Sequence, residues 1–359
     1  VAVLFLKILG GCLIMIIHVK RDATESNIKA LVSNIEEAGF RVHRSDGERR
    51  TIIGLIGDTS KVSENDFKKY SIVDGVYRIQ KPYKKANRSF QEDDSIIDVG
   101  NGVKVGAENF MVCAGPCSVE DLDSKVELAI KLKDAGANSL RGGAFKPRTS
   151  PYSFQGLGVE GLKILNEAKK ETGLPIVSEL MGTDHLDTFV DMVDVIQIGA
   201  RNMQNFDLLK ALGQTNKPVY LKRGMSATIQ EWLMSAEYIM AGGNNNVVLV
   251  ERGIRTFETA TRNTLDIQAV PVVQKESHLP IIVDPSHAAG VRYLIPSMAK
   301  SAVMAGANGL QIEVHEDPEN AWSDGQQCLT PAEFKELMDT IKVLLEIEGK
   351  TINEIVQTK

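Results

Sequence analysis

Two kinds of side chain recur in this sequence at places where chemistry could be done. Cations stand at Arg141, Lys146, Arg148, Arg201, Lys222 and Arg252, each just after a short apolar run. An arginine fork grips carboxylate or phosphate through paired N–H bonds, and lysine adds a point charge. Six such groups around one mouth would hold a substrate with more than one anionic group. The second kind is a mixed donor set: the thiol of Cys117, the imidazole of His287 and the carboxylates of Glu313 and Asp324, with His315 in reserve. Sulfur, nitrogen and oxygen together suit a divalent transition metal better than Mg or Ca, which prefer shells of oxygen. No compact ligand spacing joins the four, so Cys117 as a small core residue and His287 as a hydrogen-bonded core group stay open at this point. Lys222 or Lys146 could instead form a Schiff base, but the cationic neighbours make anion binding the simpler role. There is no serine nucleophile elbow and no phosphate-binding P-loop.

The elements that must position these residues are legible as an alternation. Short apolar runs fall at 110–114, 138–140, 175–178, 195–198, 219–221, 247–250, 281–283 and 309–312. Helical patterns lie between and after them, among them 122–135, 161–172, 229–241, 295–305 and 331–347. Eight strand–helix units over about 240 residues predict an α/β fold, a (β/α)8 TIM barrel. An open doubly wound sheet is the rival, but no Gly-rich dinucleotide turn follows the first run. Strand C-termini of a barrel open on one face, so residues scattered along the chain, Glu179 and Ala200 included, converge there.

Ahead of the barrel, residues 15–82 read strand, helix, strand, strand, helix, strand, a small α+β ferredoxin-like (βαββαβ) domain. Residues 1–14 are apolar and read as an extension outside the fold. Residues 83–106 read as a charged linker and lead-in, 107–349 as the barrel and 350–359 as a C-terminal tail. The chain has 359 residues, 43% hydrophobic and 25% charged, with a formal net charge of −6. That is the composition of a globular protein, and its acidic balance leaves no electrostatic footprint for nucleic acid. No later segment resembles a membrane span, and four cysteines do not make a disulfide framework.

Taken together the motifs resemble the smaller, type I-beta kind of 3-deoxy-D-arabino-heptulosonate 7-phosphate (DAHP) synthase, with a ferredoxin-like regulatory domain in front. The resemblance rests on 114–118 (AGPCS), 140–151 (LRGGAFKPRTSP), 197–202 (QIGARN), 221–224 (LKRG), 251–256 (ERGIRT), 284–287 (DPSH) and 323–325 (SDG). It implies a metal-dependent condensation of phosphoenolpyruvate with erythrose 4-phosphate, the entry step of aromatic biosynthesis. By resemblance Cys117, His287, Glu313 and Asp324 hold one divalent ion (Mn, Fe, Co or Zn). Arg141, Lys146 and Lys222 would meet the carboxylate side of phosphoenolpyruvate, and Arg201, Arg252 and the Ala200 backbone its phosphate. Lys146, Pro147, Arg148 and Thr149 would position erythrose 4-phosphate. A metal-bound species, Lys146 or Glu179 would activate the attacking water.

The rival within the resemblance is 3-deoxy-manno-octulosonate 8-phosphate synthase, whose Lys-Ala-Asn-Arg-Ser motif follows the second barrel strand. Here that string stands at 85–89, before the barrel, while 146–150 reads Lys-Pro-Arg-Thr-Ser, so the four-carbon sugar is favoured. A catalytically dead sensor barrel is disfavoured because no candidate ligand or cation is missing. The resemblance further implies a cytoplasmic homotetramer inhibited by tyrosine or phenylalanine, with His43 and Ser45 in effector range. Cys328, four residues after Asp324, could approach Cys117 in the absence of metal.

Overall fold

The computed structural model describes residues 13–47, 51–56, 62–78, 82–146 and 150–356. The chain divides into two compact units that part between Lys84 and Lys85.

The first unit is built from β1 (Leu13–Val19), α1 (Glu25–Glu37), β2 (Arg41–Asp46), β3 (Thr51–Ile56), α2 (Asn65–Lys68) and β4 (Val73–Arg78). Its sheet has the order β2-β3-β1-β4 with antiparallel neighbours, the split βαβ arrangement the pattern predicts. Thr24 caps α1 by accepting from the Asn27 amide at 3.3 Å, and Ile28, Leu31 and Ile35 face the sheet at helical spacing. They pack on Met15, Ile17, Val19, Ile53 and Leu55, alternate residues of the two central strands. One boundary differs from expectation. The backbone of Leu13 pairs with Ile56, so residues 13 and 14 belong to β1 rather than to an extension. Residues 1–12 lie outside the described residues. Among the described residues no helix is long and apolar enough to cross a membrane.

The second unit opens with a segment tied to the barrel wall. Strand β5 (Ile97–Gly100) and strand β6 (Val103–Val105) form an antiparallel hairpin. Barrel strands and helices follow as β7 (Asn109–Gly115), α3 (Leu122–Ala135), β8 (Ser139–Arg141), α4 (Val159–Thr172), β9 (Ile176–Glu179) and α5 (Leu186–Met192). Next come β10 (Val195–Ile198), α6 (Phe206–Gly213), β11 (Val219–Lys222), α7 (Ile229–Gly242), β12 (Val247–Glu251) and α8 (Ala269–Glu276). The barrel ends with β13 (Ile281–Val283), the short α9 (Pro285–Ala289), α10 (Ile295–Met304), β14 (Gly309–Glu313) and α11 (Pro331–Ile347). Strands β7 to β14 run parallel in sequence order, and β14 pairs back onto β7 to close the sheet. This is the eight-stranded barrel the alternation predicts.

Two stretches are more firmly built in than their sequence suggests. The segment expected as linker and lead-in is anchored at once: the amides of Lys85 and Ala86 donate to the Glu237 carboxylate of α7 at 3.1 and 3.0 Å. His278 Nε2 lies 2.6 Å from the Lys85 carbonyl, which can only accept, so Nδ1 accepts from the Ser95 hydroxyl at 2.8 Å. The hairpin then buries Ile97, Val99, Val103 and Val105 against Val177, Val195, Tyr220, Val248 and Ile282 inside the barrel. The expected C-terminal tail likewise returns: β15 (Thr351–Ile352) pairs in parallel with β7, and Ile355 packs on the same cluster. Both escape the pattern because three or four alternating residues in a charged stretch give too short a period to read.

The hairpin supplies a sharp test. Ile97 is 3% exposed while its neighbour Ile96 is 48% exposed. Ile97→Ala should lower unfolding free energy by roughly 2–5 kcal/mol in denaturant titration, and Ile96→Ala by less than about 0.5 kcal/mol. Equal small effects would make this segment a true linker.

Candidate active site

The residues at the C-terminal ends of the barrel strands meet at one mouth, beginning with β7 and its continuation. Gly115 ends β7 at φ +146, and a Cβ built there would stand 2.2 Å from the Arg141 carbonyl. Only glycine permits that approach, and it delivers Cys117 to the barrel axis. Sγ of Cys117, a ring nitrogen of His287 and a carboxylate oxygen of Glu313 all lie within 4.8 Å of one another. Asp324 completes the group, its Oδ2 accepting from Cys117 Sγ at 3.1 Å. Three of the four sequence-predicted metal candidates thus form one group of ligand atoms, and Asp324 adjoins it through Cys117.

The electrostatics of this cluster favour a cation. Burial, with Glu313 beside it, pushes the Cys117 thiol up to about 11. Burial holds His287 below its ordinary value against the pull of Asp284 and Glu313, toward the neutral form that binds metal. Burial would raise Glu313, but His287 and Arg141 outweigh it and keep the carboxylate ionised. Soft sulfur, imidazole and two carboxylates crowded in a buried site fit a divalent transition metal, whose charge would favour the thiolate. Asp324 itself sits at φ +52, left-handed backbone that is sparsely used outside glycine. Its loop is held by contacts to the Cys117 loop. The Trp322 amide donates to Glu120 at 2.8 Å, and the hydroxyls of Ser118 and Ser323 are hydrogen bonded. His315 belongs to this clasp rather than to the metal group. Its Nδ1 accepts from the Asp317 amide at 3.0 Å, and Nε2 lies 3.3 Å from Glu120.

Beside the donor cluster lies a pocket lined by Lys146, Glu179, Ala200, Arg201, Lys222, Arg252, His287 and Asp324. The sequence singles out these eight as site residues, while Gly199, Met225 and Arg262, which line it too, are not marked so there. Arg252 is 5% exposed, donates from Nη2 to the His287 carbonyl at 3.3 Å, and has no partner for Nη1 among the described residues. A buried guanidinium with a spare donor is a built-in demand for an anion. Lys146 Nζ is 2.8 Å from both the carbonyl and Sγ of Cys117, at the seam between pocket and donor cluster.

Other placements differ from the sequence reading. Arg141 does not line the pocket; its Nη1 pairs with Glu313, where it is 4% exposed. Pro147, Arg148 and Thr149 lie outside the described residues. Cys328 does not bond to Cys117; both are free thiols, and Cys328 donates to the Asp324 carbonyl at 3.4 Å. His43 and Ser45 fall on β2, an edge strand of the first unit, where Ser45 is exposed and His43 half-buried.

Several site residues escape the sequence reading. Arg262 reaches the pocket from the loop after β12, donating to Gln327 at 2.9 Å and standing 3.8 Å from Asp324. Gln327 in turn donates to Glu313. Both stand more than ten residues beyond the strand that precedes them, so no signal marks them. Asp284 is marked by its motif but without a role. It is fully buried, accepts from Lys222 Nζ at 2.6 Å, lies 2.7 Å from His287 Nδ1 and caps α9 through the His287 amide. Burial would raise Asp284, but His287 and Lys222 hold it well below the usual carboxylate range.

With this geometry in place, comparison with known proteins is decisive. The sequence model of the DAHP synthetase I family matches residues 90–347, and that of the DAHP synthase ferredoxin-like domain matches residues 15–81. The chain belongs to the DAHP synthetase I family. A phospho-2-dehydro-3-deoxyheptonate aldolase of Thermotoga maritima is 50% identical over 339 residues, covering 94% of this chain and 100% of that one. The crystal structure of a Thermotoga maritima DAHP synthase superposes with a TM-score of 0.75 at 49% identity, covering 94% of this chain and 99% of that one. A 2-dehydro-3-deoxyphosphooctonate aldolase of Syntrophobacter fumaroxidans is more distant, 31% identical over 67% of this chain and 88% of its own length. This family member is an enzyme with DAHP synthase activity, the first step of the shikimate pathway.

Asp284 yields a prediction about stability. In metal-free protein, Asp284→Asn leaves Lys222 buried without its counter-charge and should cost roughly 3–5 kcal/mol at pH 7. Because the folded carboxylate is held well below its unfolded value, its contribution is present above about pH 4 and fades as pH falls further. Denaturant titrations of both proteins should therefore converge as the pH drops below about 4. A gap that stays constant would assign the loss to packing.

Proposed function

We propose that the DAHP synthase activity of this chain condenses phosphoenolpyruvate with erythrose 4-phosphate and water, giving DAHP and inorganic phosphate. The observation that carries this reading is the buried Arg252, with its spare Nη1, in one pocket with Arg201, Lys222 and Lys146 and directly beside the Cys117–His287–Glu313 cluster. An anion-rich substrate and a site for a polarising ion share a wall.

Arg252 and Arg201, with the Ala200 backbone, take the phosphate of phosphoenolpyruvate, and Lys222 its carboxylate side. Lys146 positions the sugar phosphate, together with Pro147, Arg148 and Thr149 of the same sequence motif. A divalent ion (Mn, Fe, Co or Zn) held by Cys117, His287, Glu313 and Asp324 would supply Lewis acidity at the aldehyde oxygen. Phosphoenolpyruvate C3 attacks the aldehyde carbon, and Lys146 Nζ, beside Cys117, donates a proton to the resulting alkoxide. C2 is left electron-poor, and water adds there. Glu179, the carboxylate lining the pocket, takes the proton of that water. The C–O bond to phosphate then breaks as the C2 hydroxyl becomes the ketone of DAHP, its proton leaving with the phosphate, and the cations around the leaving group stabilise its charge. Arg141 acts from behind, holding Glu313 in place.

The likeness to octulosonate aldolases makes the five-carbon sugar phosphate the specific rival. The first unit is read as the seat of feedback by tyrosine or phenylalanine, with His43 and Ser45 two residues apart on one face of β2. A cytoplasmic homotetramer completes the proposal.

Two measurements test it. Phosphate release should require erythrose 4-phosphate, stop in EDTA and return with Mn²⁺, while arabinose 5-phosphate supports none. Turnover with arabinose 5-phosphate alone would reverse the substrate assignment, and full activity in EDTA would remove the metal. Separately, deleting residues 15–83 should abolish inhibition by tyrosine or phenylalanine with activity retained. Inhibition that persists would move the effector site into the barrel.

A further inference from the structure

Inside the barrel, below the pocket, two neutral side chains form a directed chain that ends on Glu179. Gln197 on β10 donates from Nε2 to Glu179 Oε2 at 3.0 Å. Gln311 on β14 reaches across the barrel and donates from Nε2 to Gln197 Oε1 at 3.1 Å. Both glutamines are buried, 2% and 0% exposed, within barrel strands rich in Val, Ile and Leu. The direction of each amide follows from the end of the chain. An ionised carboxylate only accepts, so Gln197 must turn its nitrogen to Glu179 and its oxygen to Gln311. Gln311 must then present its own nitrogen, and its Oε1 has no protein partner among the described residues. A buried amide oxygen left this way opposes folding. The chain is thus not explained by stability, and its one functional terminus is the carboxylate in the pocket.

The other side of Glu179 is fixed as well. A Cβ built on Gly199 would lie 2.0 Å from Glu179 Oε1. Gly199 therefore leaves the space the carboxylate occupies, next to Ala200 and Arg201 at the phosphate end of the pocket. One oxygen is held by an amide donor, and the other is seated over a residue with no side chain.

We infer that Gln197 and Gln311 are positioning residues that orient the Glu179 carboxylate, Gln197 directly and Gln311 by fixing the rotation of the Gln197 amide. The inference deepens the role of Glu179 as acceptor of the water proton and rests on that reading. Without Gln197 the carboxylate loses its donor and its aim while every substrate-binding cation stays in place. Turnover suffers and substrate binding does not. Without Gln311 the Gln197 amide is free to rotate, so turnover falls less, and the unpaired acceptor passes from Gln311 Oε1 to Gln197 Oε1.

The test compares Gln197→Met, Gln311→Met and Glu179→Gln in the full-length, Mn²⁺-loaded enzyme, with metal content and melting temperature measured for each. Gln197→Met should lower kcat about 30-fold or more, leave KM for phosphoenolpyruvate within about threefold and move the acid limb of the kcat–pH profile to higher pH. Gln311→Met should lower kcat about three- to tenfold, move the limb the same way and remain fully folded at the assay temperature. Wild-type kcat and acid limb in Gln197→Met would overturn the inference. So would a loss of activity in both Met variants that tracks lost folded protein, with kcat per folded molecule and the acid limb unchanged. Wild-type turnover in Glu179→Gln would instead remove the proton-acceptor role, and the inference with it. An impaired Glu179→Gln beside a silent Gln197→Met separates the two failures.

Discussion

The pairing of β14 with β7 is the interaction on which the site depends. These strands come from opposite ends of the barrel sequence, and their register runs from Gly309 beside Met111 to Glu313 beside Gly115. Closing the sheet removes both edges, and it also sets the last residue of β14 against the first loop of the barrel. Cys117 and Glu313 become neighbours only through that closure. Gly115 lets β7 and the end of β8 approach closely enough for Arg141 to reach Glu313 as well.

Around that seam the mouth is a ring of buried opposite charges. Arg141 meets Glu313, Lys222 meets Asp284, and Arg223 meets Glu251, with the acid in each pair fully buried. Removing charges from water carries a penalty of several kcal/mol per ion, which close pairing offsets but rarely exceeds. These pairs are therefore weak evidence of stability and better understood as preorganisation. They lock strand ends and side-chain rotamers before substrate arrives, so little has to reorganise when charge moves during reaction. The exception is Arg252, whose Nη1 has no protein partner among the described residues. A buried guanidinium donor left without a protein partner beside these pairs is matched to an anionic ligand.

Much of this architecture is legible in the amino-acid pattern. The strands 195–198 and 281–283 and the helices 122–135 and 331–347 agree with their patterns residue for residue, because buried parallel strands are continuous apolar runs and amphipathic helices keep a 3.6-residue period. The donor set Cys117, His287, Glu313 and Asp324 is legible from residue type and its place after strands. Less visible are the hairpin 97–105 and the return of 351–356, whose few apolar residues are too short to show a period. Arg262 and Gln327 are also hidden, since they arrive on loops whose path no local pattern dictates. Gln197 and Gln311 lie in strands that the pattern marks, yet polar residues inside apolar runs read as irregularities until the barrel places them together.

The sequence by itself determined the kinds of element, their order and the chemistry available at each strand end. Those follow from short-range physics: side-chain periodicity, caps such as Thr330 with Glu333 on α11, and turn residues acting within a few positions. Only the tertiary structure decided which groups face one another. It turned Arg141 toward Glu313 instead of the pocket, gave Lys222 to Asp284, drew His315 into a clasp with Glu120, and joined Gln311 to Glu179 through Gln197. The reason is physical. Partners far apart along the chain are chosen by strand register, sheet closure and the need of each buried charge for a counter-charge or donor, and none of these acts along the chain.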